Sequence, residues 1–382
     1  MSPAVLALGL GMALGRPGLA LIQPQLLDES DQVESVCAIA LLACLFCVGL
    51  RLQAPFQWSR WRVPIALSTL GLLATWVLAA AVAKVLFDVT AAEALLIASV
   101  LAPTDAVLGS DLAGAALESE HEMPAQAALA AEGAFNGGFA VAAVAFVLAL
   151  MGLEEKSSGP VGWLAFTAVW TSIGGFVAGA AIGAGMARWL QLLDFDRQTE
   201  MLEVVVVFAT AALAYGAAEA LHTSGFLSVV AAGLALGHGG RWRSRHRKRP
   251  LAPGVLKMAA RVERGAALCV VVLLGALTQE MELKVSVLVY AAILIALIRP
   301  LAVRVGLSVF APGTAHRRQL EWIGVRGAAS LYCVAFAIDH GLAGAFAHEL
   351  AGIALLVMAG SILAHGVSVA PLHTASPGAL SS

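Results

Sequence analysis

The sequence predicts an all-α polytopic membrane protein with about twelve transmembrane helices, and three observations carry that reading. Of 382 residues, 60% are hydrophobic and only 13% are charged, whereas a soluble domain keeps about a quarter of its residues charged. The mean hydropathy is +0.86. The apolar residues also fall into runs long enough to cross about 30 Å of hydrocarbon, parted by polar or Pro/Gly breaks. Lipid is therefore the solvent for most of the chain. Helices span it because they satisfy every backbone group internally.

The runs cover approximately 3–23, 33–52, 63–87, 91–110, 125–150, 161–190, 200–221, 224–238, 260–278, 283–305, 318–338 and 347–372. The first lacks a basic leader and reads as a span, not a cleaved signal. The eighth is short. The five cysteines (Cys37, Cys44, Cys47, Cys269, Cys333) all sit in apolar runs without metal-ligand spacing, as small buried hydrophobes do.

The net charge of -2 matters less than where the charges lie. With the N-terminus inside, eighteen of the 23 basic residues fall on the inner side. They are Arg51, Arg60, Arg62, Arg188, Arg197, the six in "RWRSRHRKR" (241–249), Lys257, Arg261, Arg264, Arg299, Arg304, Arg317 and Arg318. Arg16, Lys84, Lys156 and Lys284 fall near the outer side, and Arg326 lies within a span. This bias puts both termini on the cytoplasmic side of the membrane. The 241–249 cluster sits between spans, where anionic lipid accounts for it and no nucleic-acid partner is implied. Carboxylates of the acidic loop 111–122 contribute little to topology.

Ionisable residues deep in a span are functional candidates by default, and three spans carry them. Span 4 contains "LAPTDAVLGSD", where Pro103 disrupts the helix just before Thr104 and Asp105. Span 5 contains "AEGAFNGGFAV", with Glu132, Asn136, Gly137 and Gly138. Span 11 contains "IGVRGAASLY", with Arg326 between Gly324 and Gly327. At 1.5 Å per residue, Asp105, Glu132 and Arg326 lie about 6, 8 and 3 Å to the cytoplasmic side of centre, in one layer. Glu132 and Arg326 are expected to pair, because either charge alone would cost several kcal/mol there.

Spans 4 and 11 are seven apart and so run in opposite directions. Interrupted helices in corresponding places of oppositely oriented repeats point to a transporter's central site. Asp105 is expected beside the positive end of one half-helix and Arg326 beside the negative end of another. The domain reading is one transmembrane transporter domain, 1–382. It has approximate repeats 1–150 and 224–372, linking helices 161–221 and a cytoplasmic basic loop 239–257.

With those residues placed, the chain resembles the monovalent cation/proton antiporter family, in particular bacterial sodium/proton antiporters of the animal-exchanger-like branch. The stretches that carry this are "LFCVGLRL" (45–52), "LAPTDAVLGSDL" (101–112), "AEGAFNGG" (131–138), "AYGAAEALHTSGFLSVVAAGLAL" (214–236), "IRPLAV" (298–303), "WIGVRGAASLYCVAFAI" (322–338) and "SILAHGVSVAPL" (361–372). The resemblance implies a sodium/proton antiporter-like fold, with two interrupted helices crossing inside a mobile core and a scaffold that forms a homodimer. It implies Na⁺ or K⁺, with Li⁺ a further candidate, and H⁺ as substrates in the lipid bilayer of a bacterial inner (plasma) membrane, and no cofactor or resident metal. Thr104 and Asp105 match the Thr-Asp of the unwound helix. Glu132 and Arg326 match the structural ion pair, and Asn136 matches the Asn of an Asn-Asp pair.

Gly137 departs from that pattern, because the family places its ion-carrying Asp there. The chain also begins one helix later than the family pattern, so either a preceding span is missing from this start or that helix is absent. The expected function is monovalent cation/proton antiport with Asp105 as the surviving carboxylate and Thr104 and Asn136 as oxygen ligands. The alternatives are a transport-inactive sensor or assembly partner of the same fold, and a carrier of an organic anion held by Arg326. An enzyme is not expected, since no nucleophile–base set, zinc motif or phosphate loop is visible. The nine histidines read mostly as span-end and loop residues.

Overall fold

The computed structural model describes residues 2–16, 18–113, 123–153, 162, 170–192, 200–239, 251–281 and 283–368. Most of the acidic loop, Lys156, Arg197, the basic cluster 241–249, part of span 6 and the end of span 12 lie outside the described residues. Regular structure among the described residues is helical throughout. In chain order the helices are α1 (Pro3–Leu14), α2 (Ser30–Arg51), α3 (Trp58–Phe87), α4 (Ala91–Leu101), α5 (Ala106–Ala113), α6 (Ala125–Leu150) and α7 (Ser172–Leu192). Then come α8 (Glu200–Ala220), α9 (Gly225–His238), α10 (Pro253–Ala276), α11 (Val285–Phe310), α12 (Arg317–Trp322), α13 (Ala328–Asp339) and α14 (Gly344–Ser368).

Seven helices are long and apolar enough to cross a membrane, or eight with the bent pair α4–α5 taken as one span. The shorter apolar helices α1, α9 and α13 occupy three more of the expected spans. The first span is the poorest match, ending at Leu14 instead of 23. Gly15 ends it and the chain turns back, with the Leu19 N–H donating to Ala13 O at 2.7 Å. α10 begins at Pro253, ahead of the expected 260, because Pro is well suited to the first helical position. Span 4 opens on a capping box. Thr90 Oγ1 accepts from the Glu93 N–H and the Glu93 carboxylate accepts from the Thr90 N–H.

Two helix groups meet along α2. α2 packs on α9 and α10, with α7 and α8 against α9 and α1 against α10. The other group holds the polar spans: α4 and α5 pack on α6, α3 on α4 and α11, and α14 on α11 and α13. α13 joins the groups by packing on α2. α14 is the most enclosed of the seven long spans, with 78% of its apolar window buried, whereas α3, α7 and α8 are at 28% and turn Leu73, Val77, Leu192, Val205 and Leu213 outward to lipid.

Without a hydrophobic force between helices in lipid, close backbone approach at small residues supplies the packing energy. Gly233 on α9 shows this, since a Cβ there would stand 2.4 Å from Phe46 O on α2. Gly233→Leu is therefore expected to lower the melting temperature in detergent sharply, while Gly9→Leu, which meets nothing within 4 Å, leaves it near the native value. Equal melting of both variants would contradict this packing.

Candidate functional site at two broken helices

Both breaks have local causes. Pro103 has no N–H to carry the helix on, so α4 stops at Leu101, with Ala102 still in the helical region as its C-cap. α5 restarts at Ala106 after a bend of 52°. On the other side α12 stops at Trp322, Ile323 is extended, and α13 starts only after Gly327. These breaks expose four helix ends inside the protein, each with backbone groups that need partners.

Asp105 serves both positive ends. Its Oδ1 accepts from the Val107 and Leu108 N–H groups of α5 at 3.0 and 2.8 Å, and its Oδ2 accepts from the Ala328 N–H of α13 at 3.1 Å. Its own N–H donates to Val325 O at 2.8 Å, which ties one break directly to the other. Hydrogen bonds to a charged group contribute about 1.5–3 kcal/mol each, and a carboxylate at a helix N-terminus gains from the dipole as well. Gly327 makes room for this, because a Cβ there would lie 2.3 Å from Asp105 Oδ2.

The negative ends have their own donors. Arg326, fully buried, donates through Nε to Leu101 O, the last residue of α4, at 3.2 Å. Its Nη1 donates to Gly324 O, and its backbone N–H donates to Ser361 Oγ on α14 at 3.2 Å. His365 on α14 holds the remaining end, with Nε2 at 3.0 Å from Trp322 O and Nδ1 at 2.7 Å from Ser361 O. A singly protonated ring donates to one of these carbonyls, and the imidazolium donates to both.

A polar chain runs from the first break into α6. Asn136 Nδ2 donates to Thr104 Oγ1 at 3.3 Å and reaches Glu132 Oε1 at 3.5 Å. Asn136 Oδ1 is buried and has no hydrogen-bond partner. Glu132, 1% exposed, is paired on both oxygens with the Arg299 guanidinium, whose Nη2 donates to Oε2 at 2.9 Å.

That pairing corrects the expected Glu132–Arg326 bridge. Arg326 does lie in the same layer, but its guanidinium is engaged on the carbonyls of Leu101 and Gly324. Arg299, on α11, reaches Glu132 instead. The loop-by-loop count placed Arg299 among the inner-side residues. The structure buries it at 4% exposure inside α11. Its place within the expected span 283–305 was the signal that could have found it. His365 was missed for the same reason, since it lies inside the span expected at 347–372. Glu263 on α10 is a third buried charge that reasoning by span did not single out, and it is paired with Arg51.

Gly137 faces apolar neighbours. A Cβ there would meet Leu45 Cδ2 at 3.6 Å, Ala329 Cβ at 3.7 Å and Leu41 Cδ1 at 3.8 Å, ordinary contact distances. A cavity of about 460 Å³ reaches the other flank of the breaks, lined by Val107, Leu108 and Val325, the neighbours of Asp105. Asp111 and Arg264, joined at 2.9 Å and both partly exposed, line it as well.

The family model described as sodium/hydrogen exchanger, transmembrane, matches residues 1–375. The chain belongs to the sodium/hydrogen exchanger family. Its similar relatives include the K⁺/H⁺ antiporter NhaP2 of Shewanella sp. (strain MR-4), 27% identical over 366 residues, covering 95% of this chain and 60% of that protein. They also include the Na⁺/H⁺ antiporter NhaP of Pseudomonas aeruginosa, 29% identical over 236 residues, covering 60% of this chain and 53% of that one. The chain thus spans well under two thirds of the length of these relatives. The sodium proton antiporter MjNhaP1 of Methanocaldococcus jannaschii shares the fold, with a TM-score of 0.76 at 20% identity over 97% of this chain and 89% of that one. This exchanger-family member is an integral membrane protein with an all-helical, antiporter-type architecture.

The observed pairing makes a specific thermodynamic prediction. Removing one partner of a buried ion pair costs about 3–5 kcal/mol. Glu132→Gln and Arg299→Gln should each destabilise strongly, and the double variant should recover part of the loss. Glu132→Gln with Arg326→Gln should show a smaller coupling than Glu132→Gln with Arg299→Gln. Thermal melting of these four variants and of Arg326→Gln alone checks this, and stronger coupling to Arg326 than to Arg299 would refute the assignment.

Proposed function

We propose that this protein is a secondary active antiporter exchanging a monovalent cation, Na⁺ or K⁺, for H⁺, with Asp105 as the carboxylate that binds one or the other. Thr104 and Asn136 are the neutral oxygen ligands. The observation that carries the reading is the grouping of these three. Asp105 sits on two helix N-termini, Thr104 is adjacent, and Asn136 Oδ1 is buried without a partner beside them. Oxygen donors of this kind suit hard cations. The names of the relatives as K⁺/H⁺ and Na⁺/H⁺ antiporters agree with it.

The repeat organisation, 1–150 and 224–372, is supported by paired irregularities. α3 and α11 each contain a π-helical turn, at Leu67–Gly71 and Leu294–Ile298, and the next span of each half is broken. With the termini placed in the cytoplasm on the basic-residue bias, the cavity beside Asp105 opens inward. Cations reach the carboxylate past Asp111 and Arg264, and alternating access then carries the site across.

Charge balance limits how well the site binds. Asp105 and Glu132 offset Arg299 and Arg326, so a bound cation or a proton leaves the group one charge positive. A carboxylate at 137 would absorb that charge. At an effective dielectric near 20 such a charge is worth roughly 1–2 kcal/mol at 8–12 Å, about tenfold in affinity. A second reading, an exchanger fold kept without transport, is favoured by the apolar surroundings of Gly137.

Proteoliposomes with an internal pH dye and imposed Na⁺, K⁺ or Li⁺ gradients separate the readings. Antiport at Asp105 predicts exchange by the native chain, loss in Asp105→Asn, and about tenfold tighter half-saturation in Gly137→Asp. A silent native chain with an active Gly137→Asp supports the second reading. Native exchange that survives Asp105→Asn overturns the site.

A further inference from the structure

We propose a divalent transition-metal site at the Ser30 end of α2, formed by Glu34 of α2 with Asp339 and His340 at the far end of α13. One ligand atom from each of these three lies within 4.8 Å of the others. They are separated by some three hundred positions in the sequence, so no spacing motif announces them. The set is mixed, with one imidazole and two carboxylates. That chemistry suits Zn²⁺, Co²⁺ or Mn²⁺ and is a poor match to the all-oxygen shells of Ca²⁺ and Mg²⁺.

Three features fit a ligand role. His340 Nδ1 lies 2.9 Å from Phe336 O, one turn back on the same helix, and the ring stacks on Phe336 with centroids 3.9 Å apart. A carbonyl only accepts, so Nδ1 carries the proton and Nε2 keeps its lone pair for a metal. Glu34 Oε1 accepts from the Tyr332 hydroxyl at 3.2 Å, which orients the carboxylate. Its Oε2 is buried and has no hydrogen-bond partner, an acceptor left unused on a side chain that belongs to the cluster. Tetrahedral ligands with bonds of about 2.1 Å stand ~3.4 Å apart. Small rotations of the exposed Asp339 and His340 side chains close that gap.

The site would bridge the two helix groups at their shared seam. α13 carries Ala328, the donor to Asp105, at one end and both of these ligands at the other. A bound metal would therefore pin the half-helix at the ion site to α2. The proposal itself stands on binding alone and does not depend on the transport reading.

The test uses the full chain, tag removed, in nanodiscs after chelation. Calorimetric titration with Zn²⁺ and the visible spectrum with Co²⁺ read binding, and melting temperature reads the clamp. The expected result is saturable Zn²⁺ binding with a raised melting temperature. His340→Ala and Asp339→Asn should each weaken it at least tenfold, and Tyr332→Phe less. Metal-free melting of the Asp339 and His340 variants should match the native chain, since both residues are exposed. No Zn²⁺ binding, binding unchanged in the Glu34→Gln/Asp339→Asn/His340→Ala variant, or equal affinity for Mg²⁺ would each overturn the assignment.

Discussion

Helix ends buried away from water must find partners, and this structure is organised around meeting that demand at two breaks. In hydrocarbon an unsatisfied backbone group costs several kcal/mol, so non-helical backbone at membrane depth survives only where side chains serve it. Here one carboxylate serves both N-terminal ends, while a guanidinium and an imidazole serve the C-terminal ends. The rest follows from that arrangement. Gly327 is small so that Asp105 can reach both helices, and α14, the most enclosed of the long spans, supplies His365 and Ser361. Asp105 is thus an architectural residue.

The same arrangement explains what a glycine at 137 changes. The buried ionic residues around the breaks, Asp105 and Glu132 against Arg299 and Arg326, balance without a carboxylate at that position. Under the antiport proposed above, a proton or a cation at Asp105 would impose the same one-charge excess, so the two would still compete while affinity for both fell.

Much of this was legible in the sequence because the bilayer makes composition and charge placement informative. Among the described residues, most of the twelve expected spans meet one helix or one broken pair. Pro103 marked the first break, and the Gly-rich surroundings of Arg326 marked the second. What could not be read was which partner each charge would take. Glu132, Arg299 and Arg326 share a layer, and one-dimensional depth does not say which side chains face each other. Arg299 was also hidden by a rule that counts basic residues at span ends as topology signals. His365 was hidden because a histidine near the end of a long span looks like an interfacial residue. The Glu34–Asp339–His340 group was invisible because it forms only when α2 and α13 meet.

The most direct test of the shared-cap account is hydrogen–deuterium exchange on the native chain and Asp105→Ala, read over peptides spanning 104–112 and 324–333. If one carboxylate holds both N-terminal ends, the variant loses protection at Val107, Leu108 and Ala328 together. Loss confined to the 104–112 segment, with Ala328 as protected as in the native chain, would contradict the account.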